Sequence, residues 1–265
     1  MARLDGRVCV VTGATGMAEA AALRIGSEGG SVFVISRTAE TAASLAAAVA
    51  EAGGEATYQP TDLTDAAAAE SAFEACIERY GRIDGLFAVA GGSARRAGDG
   101  PVHEAPVEGF EAAFDWNTVP AYLAAREAVR AMLDQEPLPN GERGSIVLMS
   151  SVLATSPAPK FATHGYAASK GAINSLTTTM AASYAGDGIR VNAVAPGLVA
   201  TPMSARAQAD PDSVAYAARK QPLAGGLHPA ASAGDLAEFI KSAESRYITG
   251  QVIALDGGWS VTDAT

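Results

Sequence analysis

Short β-branched runs alternate along this chain with longer alanine-rich segments, the rhythm of βαβ units in a parallel sheet covered on both faces. Strands are predicted at "RVCVVT" (Arg7–Thr12), "SVFVIS" (Ser31–Ser36), "EATYQ" (Glu55–Gln59), "GLFAVA" (Gly85–Ala90), "SIVLMS" (Ser145–Ser150), "RVNAVA" (Arg190–Ala195) and "QVIAL" (Gln251–Leu255). Helices fill the gaps at Ala18–Glu28, Ala39–Ala52, Asp65–Tyr80, Val107–Leu133, Tyr166–Ala185 and Ala233–Ala243, several opened or closed by Asp, Thr or Gly. Three stretches, Gly91–Pro101, Asp134–Gly144 and Gly197–Gly226, read as loops or mobile flaps. No internal repeat or low-complexity linker interrupts this order. The pattern therefore predicts a single doubly wound α/β domain over residues 1–265: a seven-stranded parallel sheet with helices on both faces.

Composition narrows the partners. The chain has 265 residues, 48% hydrophobic and 18% charged, which suits one domain with a substantial core. A net charge of −10 with no run of Lys or Arg argues against nucleic acid and against an anionic membrane surface. Cys9 and Cys76 sit in apolar or helical stretches without metal-like spacing, so they read as buried, reduced thiols. No His/Cys/carboxylate cluster at ligand spacing indicates a metal. "MARLDGRVCVV" enters a strand at once, without the features of a signal peptide, and no run is long enough to span a bilayer. A soluble cytoplasmic protein is expected.

In sheets of this kind ligands bind beyond the carboxyl ends of the strands, where the strand order reverses. The first strand is followed there by "TGATGMAEA" (Thr12–Ala20), a turn whose Gly13 and Gly16 let backbone N–H groups approach a pyrophosphate at a helix N-terminus. After the second strand come Ser36 and Arg37, after the third Asp62, after the fourth "AGG", after the fifth Ser150 and Ser151, and after the sixth "PGLVATPM". The strongest chemical signal is "YAASK" (Tyr166–Lys170): four residues apart on a helix, phenol and ammonium share a face. A nearby cation favours phenolate, so the Tyr166 pKa is expected to fall toward working pH.

With a strand ending in "SS" upstream and "VNAVAPG" downstream, the chain resembles the short-chain dehydrogenase/reductase family, from the first strand to "ITGQVIALDGG". The resemblance implies a Rossmann-type domain and a catalytic tetrad. Tyr166 matches the family's tyrosine and Lys170 its lysine; Ser151 of "MSSVLA" matches the carbonyl-polarising serine, and Asn117 the asparagine that holds a relay water. It further implies that Val199 and Thr201 hold the nicotinamide amide and that Asp62 meets the adenine. Candidate cofactor contacts are therefore Gly13, Thr15, Gly16, Met17, Ser36, Arg37, Asp62, Leu63, Ala90, Gly91, Tyr166, Lys170, Pro196, Gly197, Val199 and Thr201. The segment at about 197–226 corresponds to the family's substrate-covering part.

Three departures from the family pattern carry expectations. The turn reads TGxxGxA where TGxxxGxG is usual, which shortens it and puts the methyl of Ala18 at a packing position. "AVAGG" replaces the common NNAG, so two side-chain amides are missing and a scaffold hydrogen bond near the cofactor is expected to loosen. The interval from Ser151 to Tyr166 is long, so the loop "VLATSPAPKFATHG" is expected to bulge into the substrate cleft.

At the end of the second strand Ser36 and Arg37 stand where NAD-selective folds place an acid, and a guanidinium can pair bidentately with a 2′-phosphate, so NADP(H) is favoured over NAD(H). The resulting reading is NADPH-dependent reduction of a ketone to a secondary alcohol with Tyr166 as general acid. The alternatives are an NAD-dependent alcohol dehydrogenase of the same family and a non-catalytic dinucleotide-binding sensor or scaffold. Arg95 and Arg96 read as a solvated loop pair or as a site for an acidic substrate, His164 as a solvated residue or a donor to substrate, and Met203 and Tyr216 as packing or pocket lining. The resemblance implies a homotetramer or dimer, with Val107–Leu133 and Tyr166–Ala185 in one interface and Trp259 near another.

Overall fold

The computed structural model describes residues 2–263. In chain order they form β1 (Val8–Thr12), α1 (Met17–Ser27), β2 (Ser31–Ser36), α2 (Ala39–Glu51), β3 (Glu55–Pro60), α3 (Ala66–Tyr80), β4 (Gly85–Ala88), α4 (Val107–Asp134), β5 (Gly144–Met149), α5 (His164–Tyr184), β6 (Ile189–Pro196), β7 (Val199–Ala200), α6 (Ala205–Gln208), α7 (Pro211–Lys220), β8 (His228–Pro229), α8 (Ala231–Lys241) and β9 (Val252–Leu255). Seven strands make one all-parallel sheet in the order β3-β2-β1-β4-β5-β6-β9. The order reverses between β1 and β4, and that reversal opens the crevice described below.

Alternation along the strands divides the core in two. Val8, Val10, Phe33, Ile35, Ile146 and Leu148 face one side and pack against Phe73 of α3, Met132 of α4 and Ile173 of α5. Cys9, Val11, Val32, Val34, Val147 and Met149 face the other, against Ile25 of α1, Val49 of α2 and Ile240 of α8. Both faces are dry, which is why the strands read as nearly continuous apolar runs.

Two elements differ from the sequence reading. β4 stops at Ala88, two residues early, because the buried Thr12 Oγ1 accepts the N–H groups of both Val89 and Ala90 at 3.0 Å and takes them out of the ladder. The same bonds tie down the backbone after β4, where the family's asparagine amides are missing. Residues 197–226, expected as loop or flap, contain β7, α6 and α7, and β7 pairs with β8 in a small second sheet. The start of α7 was legible: Asp210 caps it by accepting from the Ser213 N–H, and Pro211 stands at the first helical position.

Replacing Thr12 by Val keeps the shape and removes the acceptor, leaving two part-buried N–H groups without it. A loss of about 1–3 kcal/mol is expected, read as a lower urea midpoint at unchanged slope. Thr12→Ser should recover most of it.

Candidate active site

A cleft of about 780 Å3 runs along the carboxyl ends of the strands at the switch point. Every site residue expected from the sequence lines it except Gly16. Gly16 sits behind the lining, its φ of +61° in the left-handed region, and a Cβ there would meet Thr201 Cγ2 at 3.0 Å. The short turn thus brings the start of α1 directly against the segment after β6. Ala18, in the place of the last glycine, is fully packed and fits without displacing the turn.

The cleft suits a dinucleotide at both ends. No side chain caps α1, whose first residues Met17 and Ala18 line the cleft, so its N-terminal N–H groups and dipole are available to an anion. Arg37 lines the far end with the hydroxyl-bearing Ser36, Thr38 and Thr41. Asp62 lies nearby, its carboxyl held below the usual range by the N–H and hydroxyl of Thr64. Residues Gly13, Thr15, Leu63, Ala90, Gly91, Pro196, Gly197 and Val199 complete the walls between these ends.

At the opposite end α5 delivers Tyr166 and Lys170 to the edge of β5. Lys170 is buried, donates from Nζ to the Met149 carbonyl at 2.8 Å, and lies 5.6 Å from the centre of the Tyr166 ring. Burial pulls the ammonium down to about 7 and pushes the phenol up to about 12, with the Ser151 hydroxyl acting on the phenol in the opposite sense. This corrects the expectation of a phenol lowered by its lysine. Lys170 is buried and Tyr166 half-buried at the cleft wall, and for each the cost of desolvating the charged form is the largest effect.

Asn117 lines the cleft from α4. Its Oδ1 accepts from the Gly92 N–H, and its Nδ2 donates to the Gly92 and Ala113 carbonyls, so its amide clamps the backbone after β4. That clamp explains Gly91, where a Cβ would lie 2.6 Å from Asn117 Oδ1.

Sequence reasoning missed Asp99. This buried carboxylate accepts the N–H groups of Gly165 at 2.8 Å and Tyr166 at 2.9 Å, satisfying two donors at the start of α5 and fixing the backbone that carries the phenol. An acid in a glycine-flanked loop gives no local sign of a helix it caps 66 residues later. His164 is absent from the cleft lining and accepts the Val102 N–H through Nδ1, which makes it a loop tie rather than a donor to substrate. The long loop after Ser151 does enter the cleft, through Leu153, Phe161 and Thr163. Trp259 is buried within its own chain, its ring against Phe161 and Tyr216 and its Nε1 donating to Ser156. Trp116 and Met203 add apolar lining.

A doubly wound sheet with a nucleotide-sized cleft at its switch point, and a Ser–Tyr–Lys group at one end of it, defines a class of dinucleotide-binding proteins. The chain belongs to the short-chain dehydrogenase/reductase family. The family model described as enoyl-(acyl carrier protein) reductase matches residues 11–260. The chain is 34% identical over 260 residues to 3beta-hydroxysteroid dehydrogenase 1 of Eggerthella lenta, covering 97% of this chain and 95% of that one. It is 33% identical over 254 residues to cis-4-hydroxycyclohexanecarboxylate dehydrogenase of Sinomonas cyclohexanicum, covering 96% of each. Among solved structures it resembles that of a candidate NAD(P)-dependent gluconate 5-dehydrogenase from Beutenbergia cavernae with NADP bound at low occupancy, at a TM-score of 0.84 and 32% identity over 97% of each chain.

Two outcomes are expected. Asp99→Ala leaves two N–H groups without their acceptor, so stability should fall by about 1–3 kcal/mol in urea titration, with Asp99→Asn losing less. Lys170 is neutral in the folded protein above about pH 7 while the unfolded chain holds that proton up to its ordinary value of 10.5, so stability should rise with pH across that window. Unfolding free energies at pH 7 to 9 should show the rise, and Lys170→Met should reduce it.

Proposed function

We propose that this protein is an NADP(H)-preferring oxidoreductase that reduces a ketone to a secondary alcohol, with Tyr166 as general acid. The observation that carries this reading is the gathering of Ser151, Tyr166 and Lys170 on the lining of one cleft, with the Lys170 ammonium 5.6 Å from the Tyr166 ring centre and Arg37 presented at the other end. A bound nicotinamide supplies the hydride, or accepts it in the reverse direction. The chain supplies the rest.

Ser151 donates a hydrogen bond to the carbonyl oxygen, and Tyr166 gives that oxygen its proton as negative charge develops there. Lys170, neutral or charged near pH 7, is poised to take a proton from solvent and stabilise the phenolate once the phenol has given its own. It also grips the nicotinamide ribose in this reading. Asn117 is a positioning residue, holding Gly92 and so the floor of the cleft. Arg37 pairs with the 2′-phosphate, helped by the hydroxyls of Thr38 and Thr41, which lie along the same wall. Oxidation of an alcohol with NAD is the second reading, favoured by the printed names of the dehydrogenase relatives. A pure dinucleotide sensor has no use for the Ser151–Tyr166–Lys170 group.

Assembly as a dimer or tetramer through α4 and α5 belongs to the same proposal, supported by Phe110, Tyr122 and Leu133, which α4 leaves exposed. No helix among the described residues is long and apolar enough to cross a membrane, and a cytoplasmic setting would keep the free Cys9 and Cys76 reduced.

Tyr166→Phe removes one oxygen, so NADPH affinity should stay within about threefold while carbonyl reduction falls on the order of 10²–10⁴-fold. Arg37→Glu should weaken NADPH far more than NADH, by direct titration. Native-rate reduction by Tyr166→Phe would refute the mechanism, and equal affinity of the native protein for both cofactors would refute the preference.

A further inference from the structure

Beside Ser151 and Tyr166 the cleft leads into a smaller chamber of about 160 Å3. Leu153, Phe161 and Trp259 give it an apolar wall. Two guanidinium-bearing side chains enter from opposite elements, Arg95 from the turn after β4 and Arg206 from α6, and no carboxylate lines the chamber. Among the described residues neither arginine forms an ion pair or donates a side-chain hydrogen bond to the protein.

Among the described residues Arg3, Arg7, Arg24, Arg79, Arg82, Arg126, Arg130 and Arg190 pair with carboxylates, whereas Arg37, Arg96, Arg143, Arg219 and Arg246, like Arg95 and Arg206, do not. What sets Arg95 and Arg206 apart is that both line one chamber beside Ser151 and Tyr166. The carboxylate that acts on Arg95 is Asp99, whose two oxygens are already engaged by the N–H groups of Gly165 and Tyr166. Arg95 is held below its ordinary value by burial and then by the charge of Arg206, so the two cations feel one another without a counter-charge between them. Both residues are solvent-exposed, and a planar anion bridging the two guanidinium forks would offset their repulsion with charge-assisted hydrogen bonds.

We propose that Arg95 and Arg206 form a carboxylate-binding subsite and that the substrate is a compact oxo or hydroxy acid. Its carboxylate sits between the guanidinium groups, its carbon body lies against Leu153, Phe161 and Trp259, and its reacting oxygen meets Ser151 and Tyr166. This rests on the oxidoreductase reading above and names its substrate class. The oxo acid, the reduced dinucleotide and one proton give the hydroxy acid and the oxidised dinucleotide, and the carboxylate passes through unchanged.

The test uses the full chain with NADPH and a panel of linear and cyclic oxo acids of about five to eight carbons, each beside its neutral methyl ester. For the preferred skeleton, kcat/KM for the acid should exceed that for the ester at least tenfold, in keeping with a charge-assisted pair. Arg95→Gln and Arg206→Gln should each shrink that ratio at least fivefold, and the double variant should abolish it. NADPH binding, measured alongside, reports that the variants are folded. Calorimetry with unreactive cyclohexanecarboxylate gives a second readout: heat of binding in the native protein, weakened by salt and lost in the double variant. Esters reduced as well as acids, a ratio indifferent to both substitutions, or no arginine-dependent carboxylate binding would overturn the subsite. So would arginine-dependent reduction of acyl groups on an acidic carrier protein with the free acids ignored. If no NADPH or NADH binds and no probe is reduced in a Tyr166-dependent way, the oxidoreductase reading itself fails, a distinct result.

Discussion

The Thr12 hydroxyl is the hinge on which the site depends. At the switch point two parallel strands must part, β1 turning into α1 and β4 running on toward α4, and the backbone between them must stay satisfied without a ladder. One buried oxygen accepts the two N–H groups that the parting leaves over. The strands therefore separate at a fixed residue, and the cleft opens there. Downstream, the Asn117 amide clamps Gly92 in the same manner, so the floor of the cleft is held from both ends by side chains bonding to main chain. A family asparagine pair is missing from β4, yet the backbone it would serve is not slack.

The reacting groups sit at the edge between core and cleft, Lys170 buried and Tyr166 half-buried. Tyr166 and Lys170 are brought to the end of β5 by a helix whose first N–H groups are held by Asp99, and both pay for the burial in altered proton affinity. In the proposed reaction a phenol that holds its proton and an amine that gives its proton up near neutrality would be complementary, one to donate and the other to be recharged.

The two ends of the cleft are electrostatically alike although the chain is strongly acidic. Arg37 stands at one end, Arg95 and Arg206 beyond the other, and Asp62 is the one carboxylate among the lining residues. In the proposed reading these guanidinium groups would receive the anionic parts of cofactor and substrate.

Much of this was legible in the sequence. Alternation in "RVCVV" and "SVFVIS" sets which side chains face which core, so the seven strands, their order of appearance and the carboxyl-end rim follow from periodicity alone. The Tyr166–Lys170 pair is a local feature of one helix and was equally readable. Tertiary structure decided the rest because it depends on contacts between residues far apart in the chain. Asp99 meets α5 across 66 positions, Thr12 ends β4 across 77, and Arg95 meets Arg206 only because the turn after β4 and α6 converge on one chamber. The direction of the Tyr166 and Lys170 shifts was likewise beyond sequence: spacing shows that two groups share a face, but only packing shows how much water remains to solvate them.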